Sequence, residues 1–201
     1  MYLQVKSVLD FLFGLVLFVL TIPLLIVLSV LVYFMIGSPV FFLQTRLGRN
    51  GKPFRIIKFR TMKPVTEQLK TDKDRLTKLG AVLRKTSLDE LPQLINILKG
   101  EMSFIGPRPM LVEYWDYFRE EERVRFDVRP GMTGYAEVIG RHELPWDDQF
   151  RLDAEYVHRL SFTTDLKIFF KTFPKVLNSR KVKSIGRKQN IRLDELRKKN
   201  G

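Results

Sequence analysis

The sequence predicts a helix-rich α+β protein: a long apolar N-terminal helix joined to a basic body with a small β element. Three observations carry that expectation. No charged side chain occurs between Phe11 and Thr45, while the rest of the 201 residues holds all 35 Lys and Arg and all 22 Asp and Glu. A turn signal, RNGK, separates two short strand-like runs just after the apolar segment. Beyond Leu76, helical stretches alternate with loops marked by Gly and Pro.

The apolar segment comes first. Its uncharged run is far too long for a cleavable signal, and no small-residue cleavage pattern follows. A straight helix from Phe11 to Ile36 would be about 39 Å long at ~1.5 Å per residue, enough to cross ~30 Å of hydrocarbon with tilt. Two crossings would need about 40 residues and a turn, which the segment lacks. Pro23 lies near its middle and is expected to bend or break the helix. Lys6 precedes the segment, and Arg46, Arg49, Lys52 and Arg55 follow it. Basic residues at both ends favour placing both on the cytoplasmic face. The residues therefore support either a kinked span or a helix that enters and leaves through one leaflet. Both attach the chain to a membrane.

The body follows from residue 37. The strand after RNGK places Phe54, Ile56, Lys58, Arg60 and Met62 on one face. Lys63 to Arg75 is polar and reads as a loop. Leu76 to Arg84 carries weak helical periodicity, and SLDELPQLINILKG reads as a helix ending at Gly100. Met110 to Val124 has an amphipathic pattern, RPGMTG and IGR are expected to be loops, and Asp147–Leu160 and Thr164–Leu177 read as helices. From Lys171 to Gly201 there are eleven Lys or Arg against two Asp or Glu, the composition of an anionic-surface tether or a disordered tail. The expected organisation is residues 1–36 as membrane helix, 37–177 as body and 178–201 as basic tail.

A net charge of +13 calls for an acidic partner: nucleic acid, anionic lipid or a phosphorylated substrate. The absence of Cys excludes disulfides and Cys-ligated zinc, and two distant histidines, His142 and His158, make a His-rich metal site unlike this chain. Against that basic background, Asp89 and Glu90 stand together in SLDELP. One reading is structural, a capping box with Ser87 as N-cap and Glu90 at N3. Pro92 sits too deep for that box, so the first turn must open and leave the carboxylates accessible. Arg84 and Lys85 precede the pair, Arg108 follows in the stiff GPRP, and Arg129 and Arg141 lie beside glycines. Arginines gathered around two carboxylates suit a phosphate site, with Asp89 and Glu90 holding Mg²⁺ or a carboxylate attacking phosphorus.

FRTM, SLDELPQLINILKGEMSFIGPRP, RPGMTG and GR, in that order, resemble the bacterial sugar transferases, the monotopic phosphoglycosyl transferases. The resemblance runs from the apolar N-terminus to about Leu177 and leaves the tail uncovered. It implies transfer of a sugar 1-phosphate from a UDP-sugar to a polyprenol phosphate, usually undecaprenyl phosphate, with release of UMP. Such enzymes open glycoconjugate synthesis at the cytoplasmic face of the bacterial inner membrane, with Mg²⁺ and a covalent phosphosugar intermediate. By the same resemblance Asp89 is the nucleophile and Glu90 its partner. Arg84, Arg108 and Arg141 surround the phosphates, Lys58 and Asp165 are further candidates, and Pro23 marks a re-entrant membrane helix. Ile22-Pro23 stands where close relatives often have Ser-Pro, losing a hydroxyl near the kink.

Two rivals have different signatures. A glycosyltransferase moving only the sugar would leave no diphosphate in its lipid product. A membrane-tethered binder of anionic lipid or nucleic acid would depend on the basic tail rather than on Asp89. Nucleic acid is not expected, because stacking aromatics are not interleaved with the basic residues. The sugar, the glycoconjugate and the oligomeric state have no signature here.

Overall fold

The computed structural model describes residues 2–140, 144–177 and 192–199. The apolar segment forms one continuous helix, α1 (Tyr2–Met35), which runs through Pro23. Proline removes the N–H that would bond the Val19 carbonyl. In the same turn the Thr21 hydroxyl donates to the carbonyl oxygens of Leu17 at 2.7 Å and Phe18 at 3.2 Å. Among the described residues this is the one helix long and apolar enough to cross a membrane.

Contact with the body runs along almost the whole of α1. At its start, Lys6 and Asp10 are buried. Gly14 faces Ile97, Leu98 and Phe104, so closely that an added Cβ would lie 3.2 Å from the Ile97 side chain. Leu17 and Phe18 pack on a cluster of Phe54, Ile56, Leu94, Ile97 and Met102. Near its end, Leu28 and Val32 join Phe59 and Leu83 in another cluster. Most of the remaining apolar side chains of the helix, such as Leu20 and Phe34, are exposed.

β1 (Phe41–Leu47) and β2 (Pro53–Phe59) form the expected antiparallel hairpin, in register from Phe41↔Phe59 to Leu47↔Pro53. Its turn needs left-handed backbone at Asn50 (φ 55°) and Gly51 (φ 70°), which Asn-Gly supplies at little cost. Lys63 to Arg75 is irregular apart from one turn, α2 (Asp72–Arg75). α3 (Lys78–Thr86) follows, its first turn capped by the Thr77 hydroxyl accepting from Gly80 N at 2.9 Å.

The stretch read as one helix to Gly100 divides in two. Leu88–Gln93 is a 3-10 helix, and α4 (Leu94–Leu98) continues from it. Ser87 is not an N-cap. Its backbone is left-handed (φ 57°), its N–H closes α3 on the Arg84 carbonyl, and its side chain makes no cap. The capping-box reading is thereby corrected, because the chain turns too sharply between two adjoining helices for a cap to form.

Two further expectations change. RPGMTG and IGR are not simply loops: β4 (Gly131–Thr133) pairs in parallel with β3 (Ser103–Ile105), and α6 (Tyr135–Gly140) follows. The glycines here serve close approach. A Cβ on Gly106 would lie 2.4 Å from the Arg129 carbonyl oxygen, and one on Gly131 2.2 Å from Gly106 N. Met110–Val124 is not one amphipathic helix but a 3-10 helix, Val112–Tyr117, and α5 (Glu120–Arg123), separated by extended Phe118. That break lets Tyr114 and Phe118 enter an aromatic core with Phe126, Trp146 and Phe150.

α7 (Trp146–His158) and α8 (Phe162–Leu177) lie where periodicity placed them. Part of the basic tail is ordered helix, α9 (Leu193–Lys199), with Leu193 fully buried against the aromatic core. Arg197 reaches Glu122 at 2.5 Å and Asp147 at 2.8 Å. Composition hides this because both of the tail's acidic residues fall in that one short helix.

Candidate active site

Lys58 is the centre from which the site builds. It projects from β2 and forms an ion pair with Glu90. Asp89 lies next to Glu90 in the first turn of the 3-10 helix and is only 9% exposed. Pro92 lies inside this 3-10 helix and has no N–H to donate to it. Arg84 stands in the last turn of α3, and its Nε donates to Thr61 Oγ1 at 2.9 Å.

Asn96 locks this assembly together. It is fully buried on α4, accepts from Ile57 N at 3.1 Å and donates to the Arg55 carbonyl at 2.7 Å. One side chain thus pairs with the outer edge of β2 as a neighbouring strand would. The acid-bearing turn is held against the strand that carries Lys58.

Electrostatics follow from this packing. Burial chiefly, and the Glu90 charge next, raise the Asp89 carboxyl above its ordinary range; Lys58 and Arg84 oppose that rise. Asp89 is therefore a desolvated carboxylate beside two cations, a combination that favours reactivity over stability.

Asp165 and Arg108 have contacts of their own. Asp165, on α8, is buried and receives Lys6 Nζ and the Tyr2 hydroxyl on Oδ2, each at 2.6 Å, with the Tyr156 hydroxyl 2.8 Å from Oδ1. These contacts fasten the start of α1 to the body. The Arg108 carbonyl accepts from Arg125 Nη2 at 2.9 Å. Arg125 is itself buried in an ion pair with Asp153 at 2.7 Å. Arg141 lies outside the described residues.

Asn96 and Arg125 escape sequence reading. A lone Asn within LINIL resembles a weak helix residue, and RFDV resembles one more basic turn.

Among the described residues no three His, Cys, Asp or Glu side chains converge to hold a metal. Asp89 and Glu90 offer two carboxylates, a donor set that suits Mg²⁺ when phosphate oxygens and water complete its shell. Lys58 already engages one of those carboxylates.

A buried Asp89 and a half-buried Glu90 among basic side chains, on a body that lies along an apolar helix, suit a transferase acting on anionic substrates at a membrane. The comparisons name the family: the bacterial sugar transferase family matches residues 1–179, and this chain belongs to it. The sugar transferase EpsL of Bacillus subtilis is 50% identical over 147 residues, 72% of this chain and 73% of EpsL. The UDP-glucose:undecaprenyl-phosphate glucose-1-phosphate transferase of Caulobacter vibrioides is 38% identical, covering 87% of this chain and 70% of that protein. A UDP-N-acetylgalactosamine-undecaprenyl-phosphate N-acetylgalactosaminephosphotransferase of Aeromonas hydrophila is also 38% identical, over 88% of this chain and 44% of its own length. Some relatives are much longer: the chain spans about a third of a Haemophilus influenzae sugar transferase, 34% of its length.

Proposed function

We propose that this protein transfers a sugar 1-phosphate from a UDP-sugar to undecaprenyl phosphate, with Asp89 as the nucleophile. The observation that carries the reading is the buried Asp89 carboxyl beside the Lys58–Glu90 pair and Arg84. The names of the Caulobacter and Aeromonas relatives supply the substrate class. They differ in the sugar, so the sugar itself is not assigned.

In the first step an Asp89 oxygen attacks the β-phosphorus of the donor. The bond from that phosphorus to the bridging oxygen breaks, and UMP leaves with the electron pair. In the second step an oxygen of the acceptor phosphate attacks the same phosphorus, and the Asp89–phosphorus bond breaks to regenerate the carboxylate. Lys58 and Arg84 offset the charge that gathers on the phosphoryl oxygens. Glu90, held by Lys58, orients this side of the site. Mg²⁺ bound by Asp89 and Glu90 would add charge neutralisation of the donor phosphates.

The membrane arrangement belongs to the same proposal: α1 enters and leaves by one leaflet, and the body lies on the cytoplasmic face. The supporting observation is that Lys6 and Asp10 near one end, and Leu28 and Val32 near the other, all pack on the same body. A crossing helix would carry one end away from it. Exposed Phe162, Leu166 and Phe170, at helical spacing on α8, continue the apolar surface beside α1, where Phe13 and Phe169 rings lie 6.3 Å apart.

The experiment is to supply UDP-sugar and Mg²⁺ without acceptor. The expected result is roughly one equivalent of UMP and a base-labile phosphosugar adduct, cleared when undecaprenyl phosphate is added. Asp89→Asn should give neither UMP nor adduct, and Glu90→Gln should slow turnover by about 10²-fold. UMP that appears only with both substrates present, and no trapped adduct, would replace the covalent route with direct displacement.

A further inference from the structure

Phe42 is the cross-strand neighbour of Lys58. The antiparallel register pairs the two directly, and residues paired in this way share one face, with Cβ atoms about 5 Å apart. Lys58 holds Glu90, and its charge acts on Asp89. Further along that face of β2, Ile56 and Phe54 are buried in a cluster with Leu17, Phe18, Leu94 and Ile97. Phe42 lies outside that cluster and is 47% exposed. A bare aromatic ring therefore stands next to a cation of the site.

The other end of this surface is the apolar helix. Only residues 36–40 separate α1 from β1. Within them Ile36 and Val40 pack with Leu28 and Val32 of α1 on Phe59 and Leu83. The Phe41 ring stacks on Phe59, with centroids 5.4 Å apart. Arg60 fastens the connection by donating to the Ser38 carbonyl at 2.7 Å. β1 thus begins against the last turns of α1. Phe41, Phe42 and Leu43 are exposed there, as are Tyr33, Phe34 and Met35 at the end of the helix. Apolar surface continues from the helix proposed to sit in the membrane to the residue paired with Lys58.

One exposed aromatic needs no ligand to explain it. A run of them that leads from a membrane helix to a lysine of the site fits an amphiphile, with an anionic head for the lysine and an apolar chain for the rings. We infer that Phe42 is a specificity residue for the lipid acceptor: the polyisoprenyl chain lies against Phe42 while its phosphate enters beside Lys58. The donor does not fit this surface, because a UDP-sugar carries no apolar chain to cover it. Leu43 provides the contrast. It is 52% exposed, yet strand alternation turns it to the face opposite Lys58.

This inference rests on the sugar-phosphate transfer proposed above, and its test separates the two. Full-length wild type, Phe42→Thr, Phe42→Leu and Leu43→Thr are compared at one detergent concentration, with thermal melts to confirm folding. Thr keeps the strand preference while removing the ring. Phe42→Thr is expected to raise the KM for undecaprenyl phosphate about tenfold or more, the size of a lost apolar contact. The KM for UDP-sugar, and the UMP released before acceptor is added, should stay at wild-type values. Phe42→Leu should restore most of the acceptor KM, and Leu43→Thr should leave it unchanged. Binding is read separately by titrating farnesyl phosphate and, as a control without a tail, ethyl phosphate. Phe42→Thr should weaken the first about tenfold and leave the second as it was. Vesicle flotation should be the same for all four proteins. An unchanged acceptor KM in folded Phe42→Thr overturns the assignment, as does an equal effect of Leu43→Thr. A parallel loss of vesicle binding also overturns it, making the hairpin a bilayer contact only. If Asp89 forms no adduct but farnesyl phosphate binding still depends on Phe42, the covalent reading fails and the acceptor assignment stands.

Discussion

At the scale of single residues, the site trades stability for reactivity. The Asp89 carboxyl has a raised folded-state value, so its contribution is fully favourable only while it is protonated, below the unfolded value of 3.8. That contribution is lost as pH rises through the folded value. At neutral pH the ionised group is a liability, and Asp89→Asn should raise the melting temperature while abolishing transfer. Wild-type kcat/KM should fall on the acid side at a pH above 3.8, because the nucleophile must be ionised. A melt that drops in Asp89→Asn would mean that the carboxylate is structural. Asn96 is the opposite case. Asn96→Leu keeps the volume but strands Ile57 N and the Arg55 carbonyl, costing about 1–3 kcal/mol for each group left unpaired. Denaturant titration measures that cost, and activity should fall further than stability because Lys58 loses its hold on Glu90. Asp89 was legible from its neighbours in SLDELP, whereas Asn96 was not, since its two partners on β2 lie about forty positions away.

At the scale of elements, α1 and α9 invite separate tests. Pro23 leaves the Val19 carbonyl without its usual donor, and Thr21 bonds back one turn earlier, which favours bending at this point. Pro23→Ala restores the hydrogen bond and should stiffen the helix. With one end tied through Lys6–Asp165 and the other through Leu28 and Val32, a stiffer helix should release one end. A tag at Met1 should then label partly from the opposite face of the membrane, whereas in the wild type it labels from the same face as the body. Opposite labelling in the wild type would mean that α1 crosses. For α9, Leu193→Ala should cost no more than about 2 kcal/mol, because a short helix can undock without unfolding the body. Hydrogen exchange should show faster opening of α9 before any change elsewhere. The hairpin, α7 and α8 were readable because turn chemistry and periodicity are local. β4 and the turn into α6 were not, because Gly131 and Gly134 pack against Gly106, twenty-five and twenty-eight positions away.

At the scale of the whole molecule, the proposed membrane attachment draws on two features, an apolar helix and a net charge of +13. Anionic vesicles should bind better than zwitterionic ones at low salt, and that preference should shrink as ionic strength rises. Binding to zwitterionic vesicles should survive high salt, because the exposed apolar face of α1 does not depend on charge. Flotation assays across a salt series separate the two contributions, and complete release at high salt would deny α1 its place in the bilayer. The sequence by itself determined the charge-free segment, the hairpin turn, the acidic pair and the family motifs, because each is written in neighbouring residues or in a short period. Only the tertiary structure decided which cation meets which anion. Lys58 takes Glu90 across 32 positions, and Lys6 takes Asp165 across 159. Arg125 takes Asp153 across 28. Charge composition sets how many such partners exist, but desolvation and packing choose among them, and both depend on which surfaces the folded chain brings together.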